Sequence, residues 1–393
     1  MLSFSRYADL FRVPGVRATL AASIIGRLPI GIATLAILLF LQSRSGSFAI
    51  AGAAAACYVI GLGLVAPLLG RLLDRLGPRP VLATSAVVYP AALVTLVALV
   101  YASSGLAWVA VAAAVAGAAF PPVTICMRAS YPRLVGDPAL LQTAYSVDSA
   151  LVETMFILGP VLVAGCVAIG APAGAVLFAA ACAAAGAWVF LRSPGARGWI
   201  THAGTARRSL LGPLANPRLL AVFAANVLYA IAFGLYEMAV IAQAAHHGKP
   251  AMAGVVLALA SLGSAIGVLV YGSRDWRPPL PRQFLAAVVL MAAGLLLLVP
   301  IENLVLFAFA NVLAGAPMAA VIAAQSLLVS RLAPREMLAE SFTWGTTCLL
   351  CGISAGIAAG GVMAEFLSPA AILSGAAAST LAAGVIVWAA VKE

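Results

Sequence analysis

Charged residues are scarce in this chain. Only 9% of its 393 residues are Asp, Glu, Lys or Arg, whereas a soluble globular domain carries about 25%. Hydrophobic residues make up 64% of the chain and stand in long successive runs. This scarcity of charge excludes a soluble globular protein. It predicts an all-α integral membrane protein, because a helix of about 20 apolar residues spans a bilayer with all its backbone hydrogen bonds made internally.

Residues that carry enzyme chemistry are also few. The chain has three histidines and six cysteines. Cys348 and Cys351 form a C-x-x-C pair inside an apolar run, without the second pair or nearby histidine that a zinc site needs. No G-x-x-x-x-G-K-[ST] sequence is present to cradle the phosphates of ATP. We therefore expect no enzyme activity, no metal site and no cofactor. Protons are the expected coupling ion, because acidic residues lie inside the apolar runs.

The charge that is present is mostly positive, with a net value of +10. Its arginines do not form one patch, which argues against a nucleic-acid partner. Most of them lie in alternate gaps between apolar runs, and the positive-inside rule then places both termini on the cytoplasmic side of a cell inner membrane. We expect the partners to be the lipid bilayer and a small-molecule substrate. Nothing in the sequence requires an oligomer, so a monomer is expected.

Twelve apolar runs are long enough to span a membrane. They are residues 18–42, 48–70, 81–101, 106–128, 140–168, 172–192, 217–245, 250–273, 282–300, 303–329, 338–364 and 369–391. The longest polar gap separates six spans from six. This division predicts an N-terminal six-helix bundle over 1–192, a cytoplasmic linker over 193–216 and a C-terminal bundle over 217–393. A substrate site is expected between the bundles near the membrane midplane.

The loop after the second span carries a recognisable motif. It reads GRLLDRLGPRPVL from Gly70 to Leu82 and is similar to G-x-x-x-D-[RK]-x-G-[RK]-[RK]. The matching residues are Gly70, Asp74, Arg75, Gly77 and Arg79, while Pro78 stands where a basic residue is usual. In this respect, and in its division of twelve spans into six and six, the chain resembles the major facilitator superfamily of membrane transporters.

The resemblance implies that this loop is a gate in which Asp74, Arg75 and Arg79 lock the two halves together on the cytoplasmic side. Electrostatics supports the same role for Asp74, because a carboxylate is stabilised at the positive end of another helix. It can also pair with an arginine such as Arg128 at the end of the fourth span. The alternative is that these charges only determine the topology. The corresponding loop of the second half holds Arg274, Asp275 and Arg277 without the full spacing.

A second resemblance lies in the fifth span. The sequence LGPVLVAG is similar to part of the Gly-Pro signature of proton-coupled antiporters in that superfamily, and the matching residues are Gly159, Pro160 and Gly165. This similarity favours the drug:proton antiporter branch and therefore export. The arginine that is usual in the fourth span of that branch is missing here.

Among the charged residues of the predicted spans, four stand out: Arg27, Asp148, Glu153 and Glu237. Each is costly in lipid and should face protein or a water-filled cavity. Arg27 and Asp148 lie at similar depths, which predicts an ion pair between them and leaves Glu153 for a proton or the substrate. A pairing of Arg27 with Glu153 remains the alternative.

Four polar residues of the fifth span share one face of its helix. These are Gln142, Ser146, Ser149 and Glu153, and Asp148 lies about 120° away from them at 100° per residue. Such a stripe is typical of a helix that lines an aqueous cavity, and the angle predicts different partners for the two acids.

In the second half, Asn226, Phe233 and Glu237 share a face of the seventh span, flanked by Tyr229 and Tyr236. An acid beside aromatic rings suits a cationic or amphipathic substrate, although Glu237 could instead act as an extracellular gate. Three further polar residues are candidates: Asn311 and Gln325, which bind either substrate or a neighbouring helix, and Trp344 as a cavity residue.

Together these features favour a secondary active transporter that expels a small organic or drug-like compound by alternating access, coupled to protons. One rival is a symporter or uniporter that imports a metabolite such as a sugar or an organic acid. The other is a receptor-like or scaffold membrane protein that transports nothing.

Overall fold

The computed structural model describes residues 5–199, 212–249, 252–274 and 276–391. These residues form sixteen α-helices. They are α1 Ser5–Arg12, α2 Val16–Ser45, α3 Phe48–Leu76, α4 Pro78–Tyr101, α5 Leu106–Ala118, α6 Val123–Leu134, α7 Pro138–Ala168, α8 Pro172–Leu191, α9 Pro194–Arg197, α10 Pro217–His246, α11 Met252–Gly272, α12 Leu280–Leu298, α13 Leu304–Gly315, α14 Met318–Leu332, α15 Leu338–Phe366 and α16 Pro369–Ala390.

Twelve stretches of this helical chain are long and apolar enough to cross a membrane, which confirms the predicted number of spans. Two of them are interrupted. The span Leu106–Leu134 breaks between α5 and α6 at Pro121–Pro122, and the span Leu304–Leu332 breaks between α13 and α14 near Pro317. Proline causes such breaks because it lacks the backbone N–H and clashes with the preceding turn.

The spans are arranged as two bundles, α2–α8 and α10–α16. In the first bundle α2 and α4 pack against α8, and α3 packs against α5. In the second bundle α10 packs against α15 and α16, and α12 packs against α16. The bundles meet where α3 contacts α15 and where α7 contacts α11 and α14. The all-α fold with two six-helix bundles is therefore as predicted.

Glycines allow the helices of the first bundle to approach closely. A Cβ atom on Gly186 of α8 would overlap the backbone of Gly26 on α2. Small residues play this role in membrane proteins because backbones can then come into van der Waals contact.

We use the name basic face for the end of the molecule that carries the start of α2, the end of α3 and the start of α15. The short helix α1 lies on it, and the sequence analysis had not assigned this helix. Leu10 is fully buried, and Arg6 Nη1 donates to the carbonyl of Arg274 at 2.9 Å. The Tyr7 hydroxyl donates to the carbonyl of Leu269 on α11. A segment that precedes the first bundle thus binds the second.

Candidate functional site

The carboxylate of Asp74 caps the start of α15. Its two oxygens accept hydrogen bonds from the backbone N–H groups of Ala339 at 3.0 Å and Glu340 at 2.9 Å, and the side chain is buried. The first N–H groups of a helix have no partner within the helix, and the helix dipole attracts negative charge there. Asp74 of the first bundle therefore holds the second bundle by electrostatics, as the helix-end argument predicts.

A salt bridge lies beside this cap. Arg71 Nη2 is 2.7 Å from Glu340 Oε1, and Arg71 Nε donates to the same oxygen at 3.1 Å. Gly70 makes the close approach of the two helices possible, because a Cβ atom there would overlap Thr343 and come within 2.8 Å of Glu340 Cα. Three neighbouring positions of α3, Gly70, Arg71 and Asp74, thus contact the first turns of α15.

The structure does not bring Arg75 or Arg79 into this contact, which corrects the prediction for both. Their side chains are exposed and form no ion pair in the described part of the chain. Arg75 lies about one turn beyond Arg71 on α3, nearer the end of that helix. Gly77 ends α3 with a φ of 78° and donates to the carbonyl of Leu73 at 2.9 Å. Asp275 of the second-half loop lies outside the described residues.

A second contact closes the basic face between α7 and α11. Gln142 Nε2 donates to the carbonyl of Tyr271 at 3.0 Å, and Thr143 Oγ1 donates to that of Gly272 at 2.8 Å. Gly272 leaves room for Ser146, which a Cβ atom there would overlap. Among the described residues, the hydrogen bonds between bundles lie between the basic face and the middle of α3 and α7. This conformation is therefore closed at the basic face.

Asp148 lies at the centre of a buried charge cluster in the first bundle. Its Oδ1 accepts from Arg27 Nη2, and its Oδ2 accepts from Arg128 Nε at 2.7 Å. The hydroxyl of Tyr131 is 3.4 Å from Oδ1. Arg27 and Asp148 are fully buried. The predicted Arg27–Asp148 pair is therefore present, and the alternative pairing of Arg27 with Glu153 is not formed.

The suggested pairing of Arg128 with Asp74 is wrong for this conformation. Arg128 belongs to α6, which begins after the Pro121–Pro122 break and packs against α7. It meets Asp148 there. A carboxylate without solvent requires compensation by cations and hydrogen bonds, and Asp148 receives both from Arg27 and Arg128.

Glu153 has different surroundings from Asp148. It is half-buried at the middle of α7. Ser264 Oγ of α11 donates to its Oε1 at 3.1 Å. Ser264 Oγ also accepts from the backbone N–H of Ala319 near the start of α14, at 2.9 Å. In the described part of the chain Glu153 has no salt bridge. It is a carboxyl group of one bundle that is hydrogen-bonded to a neutral hydroxyl group of the other.

The rest of the polar stripe on α7 does not line an open cavity here. Gln142 and Ser146 are buried in the contact with α11, and Ser149 is buried with its hydroxyl unpartnered. The stripe faces the second bundle, as its pattern suggests, but closure of the basic face has turned most of it into interface.

The two tyrosines predicted to contact substrate are buried inside the second bundle. Tyr229 donates to Gln325 Oε1 on α14, and Tyr236 donates to Asn311 Oδ1 on α13 at 2.6 Å. Of the two alternatives for Asn311 and Gln325, the structure therefore shows the contact with a neighbouring helix. These bonds tie α10 to the broken span α13–α14.

Three predicted residues of the second bundle retain free polar groups. Asn226 Nδ2 donates to the carbonyl of Gly345 at 2.7 Å, while its Oδ1 is buried without a partner. The indole N–H of Trp344 is also buried and unpartnered. Glu237 is half-buried, with no hydrogen bond or ion pair to the described residues.

No cluster of three or more His, Cys, Asp or Glu side chains suited to a metal occurs in the described ranges.

The Gly-Pro stretch of α7 packs against α2. A Cβ atom on Gly159 would overlap the backbone of Gly31, whereas Gly165 has no neighbour within 4 Å of that position. Pro160 lies inside α7 without ending it. Gly159 therefore has a clear packing role, and the link between this stretch and antiport stays a prediction.

Several interface residues were not predicted as site residues. Arg71 occupies an unspecified position of the loop motif, and Glu340 lies in the first turn of α15. Ser264 and Thr347 are hydroxyl residues in apolar spans, and Thr347 donates to the carbonyl of Gly63 on α3 at 2.9 Å. The spacing of Ser261 and Ser264, which places both on one face of a helix, was the one available signal for the Glu153 partner.

Comparison with known proteins agrees with this architecture. The family model described as Major Facilitator Superfamily matches residues 19–279. An uncharacterized MFS-type transporter of Sinorhizobium fredii is 27% identical over 283 residues, which cover 68% of each chain. Both matches are to transporters rather than to enzymes.

Solved structures show the same fold. The human organic anion transporter TETRAN has a TM-score of 0.74 at 17% identity, covering 94% of this chain and 99% of its own. A bacterial homologue of the iron transporter ferroportin in an outward-facing state has a TM-score of 0.77 at 14% identity, covering 96% and 99%. The proton:xylose symporter XylE has a TM-score of 0.71 at 13% identity, covering 99% and 97%.

Proposed function

Because the chain belongs to the major facilitator superfamily of membrane transporters, we propose that its alternating-access cycle couples the efflux of a small organic or drug-like compound to proton entry. The basic face is oriented toward the cytoplasm of a cell inner membrane, in keeping with its arginines. The closed basic face then corresponds to a state in which the substrate cavity faces outward.

Glu153 is the proposed coupling residue, and its position between the bundles carries the proposal. It has a hydroxyl partner in the other bundle and, unlike Asp148, no salt bridge among the described residues. Burial without a cation disfavours the charged form of a carboxyl group, so Glu153 is suited to bind and release a proton.

Protonation of Glu153 also affects the contact between bundles. A hydrogen bond to a carboxylate is roughly twice as strong as one between neutral groups. A proton arriving from outside therefore weakens the bond from Ser264 of α11 and favours opening of the basic face. Release of that proton to the cytoplasm frees the site for substrate. The Asp74 cap and the Arg71–Glu340 bridge form again as the cavity turns outward.

The test is proton flux in everted membrane vesicles that hold an inward-acid pH gradient. Dyes, drugs, sugars, amino acids and organic acids are added in turn, and collapse of the gradient is followed by fluorescence. One compound class should collapse it in the wild type and fail to do so in Glu153→Gln. Glu237→Gln is the matched variant, because that acid is also half-buried but lacks a described partner in the other bundle.

The outcomes separate the possibilities. Collapse that persists in Glu153→Gln and disappears in Glu237→Gln would transfer the coupling role to Glu237. If the gradient still collapsed in both variants, antiport would require neither acid, and Glu153 would be excluded as the coupling residue.

Import by a symporter or uniporter is the second candidate. The same acid can couple protons in either direction, and the similar structures include one described as a proton:xylose symporter. Substrate-driven proton uptake in the inward direction, with no collapse in everted vesicles, would favour import. A folded protein that moves no compound in liposomes would instead indicate a receptor or scaffold.

A further inference from the structure

A deep apolar groove runs along the outside of the second bundle, apart from the coupling site. It lies between α11 and α12, and the break between α13 and α14 forms its floor. Its volume is about 600 Å³, within the range of about 300–1,000 Å³ that is usual for ligand sites. The groove extends along α12 from Arg282 to Leu297, which corresponds to about 22 Å at 1.5 Å per residue.

Small side chains make the groove deep. Gly267, Ala286 and Gly294 line it, and a Cβ atom on Gly267 would overlap the carbonyl of Ala316 at the helix break. The rim is formed by large apolar side chains such as Leu290, which is 62% exposed. A long narrow cleft with apolar walls on the lipid-facing side of a bundle suits a hydrocarbon chain.

Only the end at the basic face is polar and charged. Arg282 lines the groove there and is exposed. Arg274 lies over the ring of Trp276, with its Cζ atom 5.7 Å from the ring centroid. Trp276 stacks on Tyr271 at a centroid distance of 5.7 Å. Aromatic and basic residues at this level are characteristic of the membrane interface.

We propose that this groove binds one phospholipid with an anionic headgroup. The phosphate lies at Arg282 and an acyl chain fills the cleft along α12. Charge complementarity selects the ligand, because basic pockets between membrane helices on the cytoplasmic side bind acidic lipid headgroups. A zwitterionic lipid would gain the apolar contacts and could also place its phosphate at Arg282, but its cationic headgroup would be repelled by the neighbouring arginines and offset that attraction.

The groove shares a residue with the closed contact between the bundles. The carbonyl of Tyr271 accepts a hydrogen bond from Trp276 Nε1 at 2.9 Å and another from Gln142 of α7 at 3.0 Å. A lipid packed against Tyr271 and Trp276 therefore holds the end of α11 in the position that closes the basic face. Anionic lipid stabilises this conformation.

Binding is tested on the purified full-length protein in detergent by native mass spectrometry, with dioleoyl phosphatidylglycerol and dioleoyl phosphatidylcholine as probes. The wild type should retain one phosphatidylglycerol more tightly than phosphatidylcholine. Arg282→Gln should weaken this preference about fivefold, and Arg282→Lys should restore most of it. Ala286→Trp, which fills the cleft, should reduce retention of both lipids.

Arg277→Gln is the matched control, because Arg277 is exposed in the same loop but does not line the groove. Equal losses in Arg277→Gln and Arg282→Gln would overturn the proposal in favour of unspecific attraction to the basic face. Equal retention of the two lipids by the wild type would overturn it in favour of a plain acyl-chain cleft. Displacement of phosphatidylglycerol by soluble glycerol phosphate alone would show a site for free phosphate esters instead.

Discussion

At the scale of single residues, the acids of α7 illustrate how surroundings assign different roles to the same chemistry. Asp148 is balanced by Arg27 and Arg128 inside one bundle, whereas Glu153 reaches Ser264 in the other. A carboxylate held by two guanidinium groups is poorly suited to exchange a proton during transport. Its main contribution is to the stability of the first bundle.

Removing the charge of Asp148 should therefore destabilise the fold. Asp148→Asn leaves two arginines without their anion in a buried site, which should lower the free energy of unfolding by about 3–5 kcal/mol. Thermal unfolding of the purified protein in detergent measures this effect. Ser149→Ala is the neighbouring control, because the Ser149 hydroxyl is buried without a partner and its loss should cost nothing. Equal melting temperatures for Asp148→Asn and the wild type would contradict the structural role.

At the scale of elements, α1 fastens the basic face. It precedes the first bundle, yet its Tyr7 and Arg6 donate to carbonyl groups at the end of α11 and just beyond it. Burial raises the pKa of Tyr7 to about 12. Because this value lies above the ordinary pKa, the protonated donor is present at neutral pH, and the stabilisation is lost only as the pH rises through about 12.

Tyr7→Phe should loosen the closed basic face. Loss of one hydrogen bond costs about 0.5–1.5 kcal/mol, so the open fraction should rise severalfold. The reporter is a maleimide reaction at Ser326→Cys in a background without native cysteines, since Ser326 is only 4% exposed in a small cavity between the bundles. Arg12→Ala, which removes an exposed contact with Asp9 inside α1, should leave the rate unchanged. A rate that rises equally in both variants would point to disruption of α1 itself.

At the scale of the whole molecule, closure depends on two groups of contacts on the basic face. The first joins α3 to α15 through Asp74, Arg71 and Glu340, and the second joins α7 to α11 through Gln142 and Thr143. All of them must separate when the basic face opens, so each contributes to the free-energy difference between the two states.

Asp74→Asn should shift the whole molecule toward the state open at the basic face. The amide keeps the size of the side chain but loses the charge that the start of α15 attracts, an effect of up to about 2 kcal/mol. The maleimide reaction at Ser326→Cys should then accelerate. Arg75→Gln is the matched control on the same helix, because Arg75 is exposed and forms no ion pair in the described ranges. If Arg75→Gln accelerated the reaction as much, the gate would depend on general charge rather than on the helix cap.

The contacts that Glu340 and Arg128 make could not be predicted from the sequence. The helix-end argument correctly placed Asp74 at the start of another helix, because that interaction depends only on backbone geometry. The partners of Arg71 and Arg128, and the exposure of Arg75, depend on which helix lies opposite and at what height. The break at Pro121–Pro122 and the crossing of α3 with α15 decide this, and neither is visible in the periodicity of a single span.

The sequence alone determined the number of spans, the all-α fold and the six-and-six division, and it favoured the Arg27–Asp148 pair, which the structure then chose over a pairing with Glu153. Each follows from local properties, namely apolar length, the distribution of arginines and the depth of a charge along its helix. The tertiary structure alone decided that Tyr229 and Tyr236 are buried, that Glu153 meets Ser264, and that α1 joins the second bundle. Those contacts join segments that are far apart in the chain, and they depend on the rotation and the crossing of the packed helices.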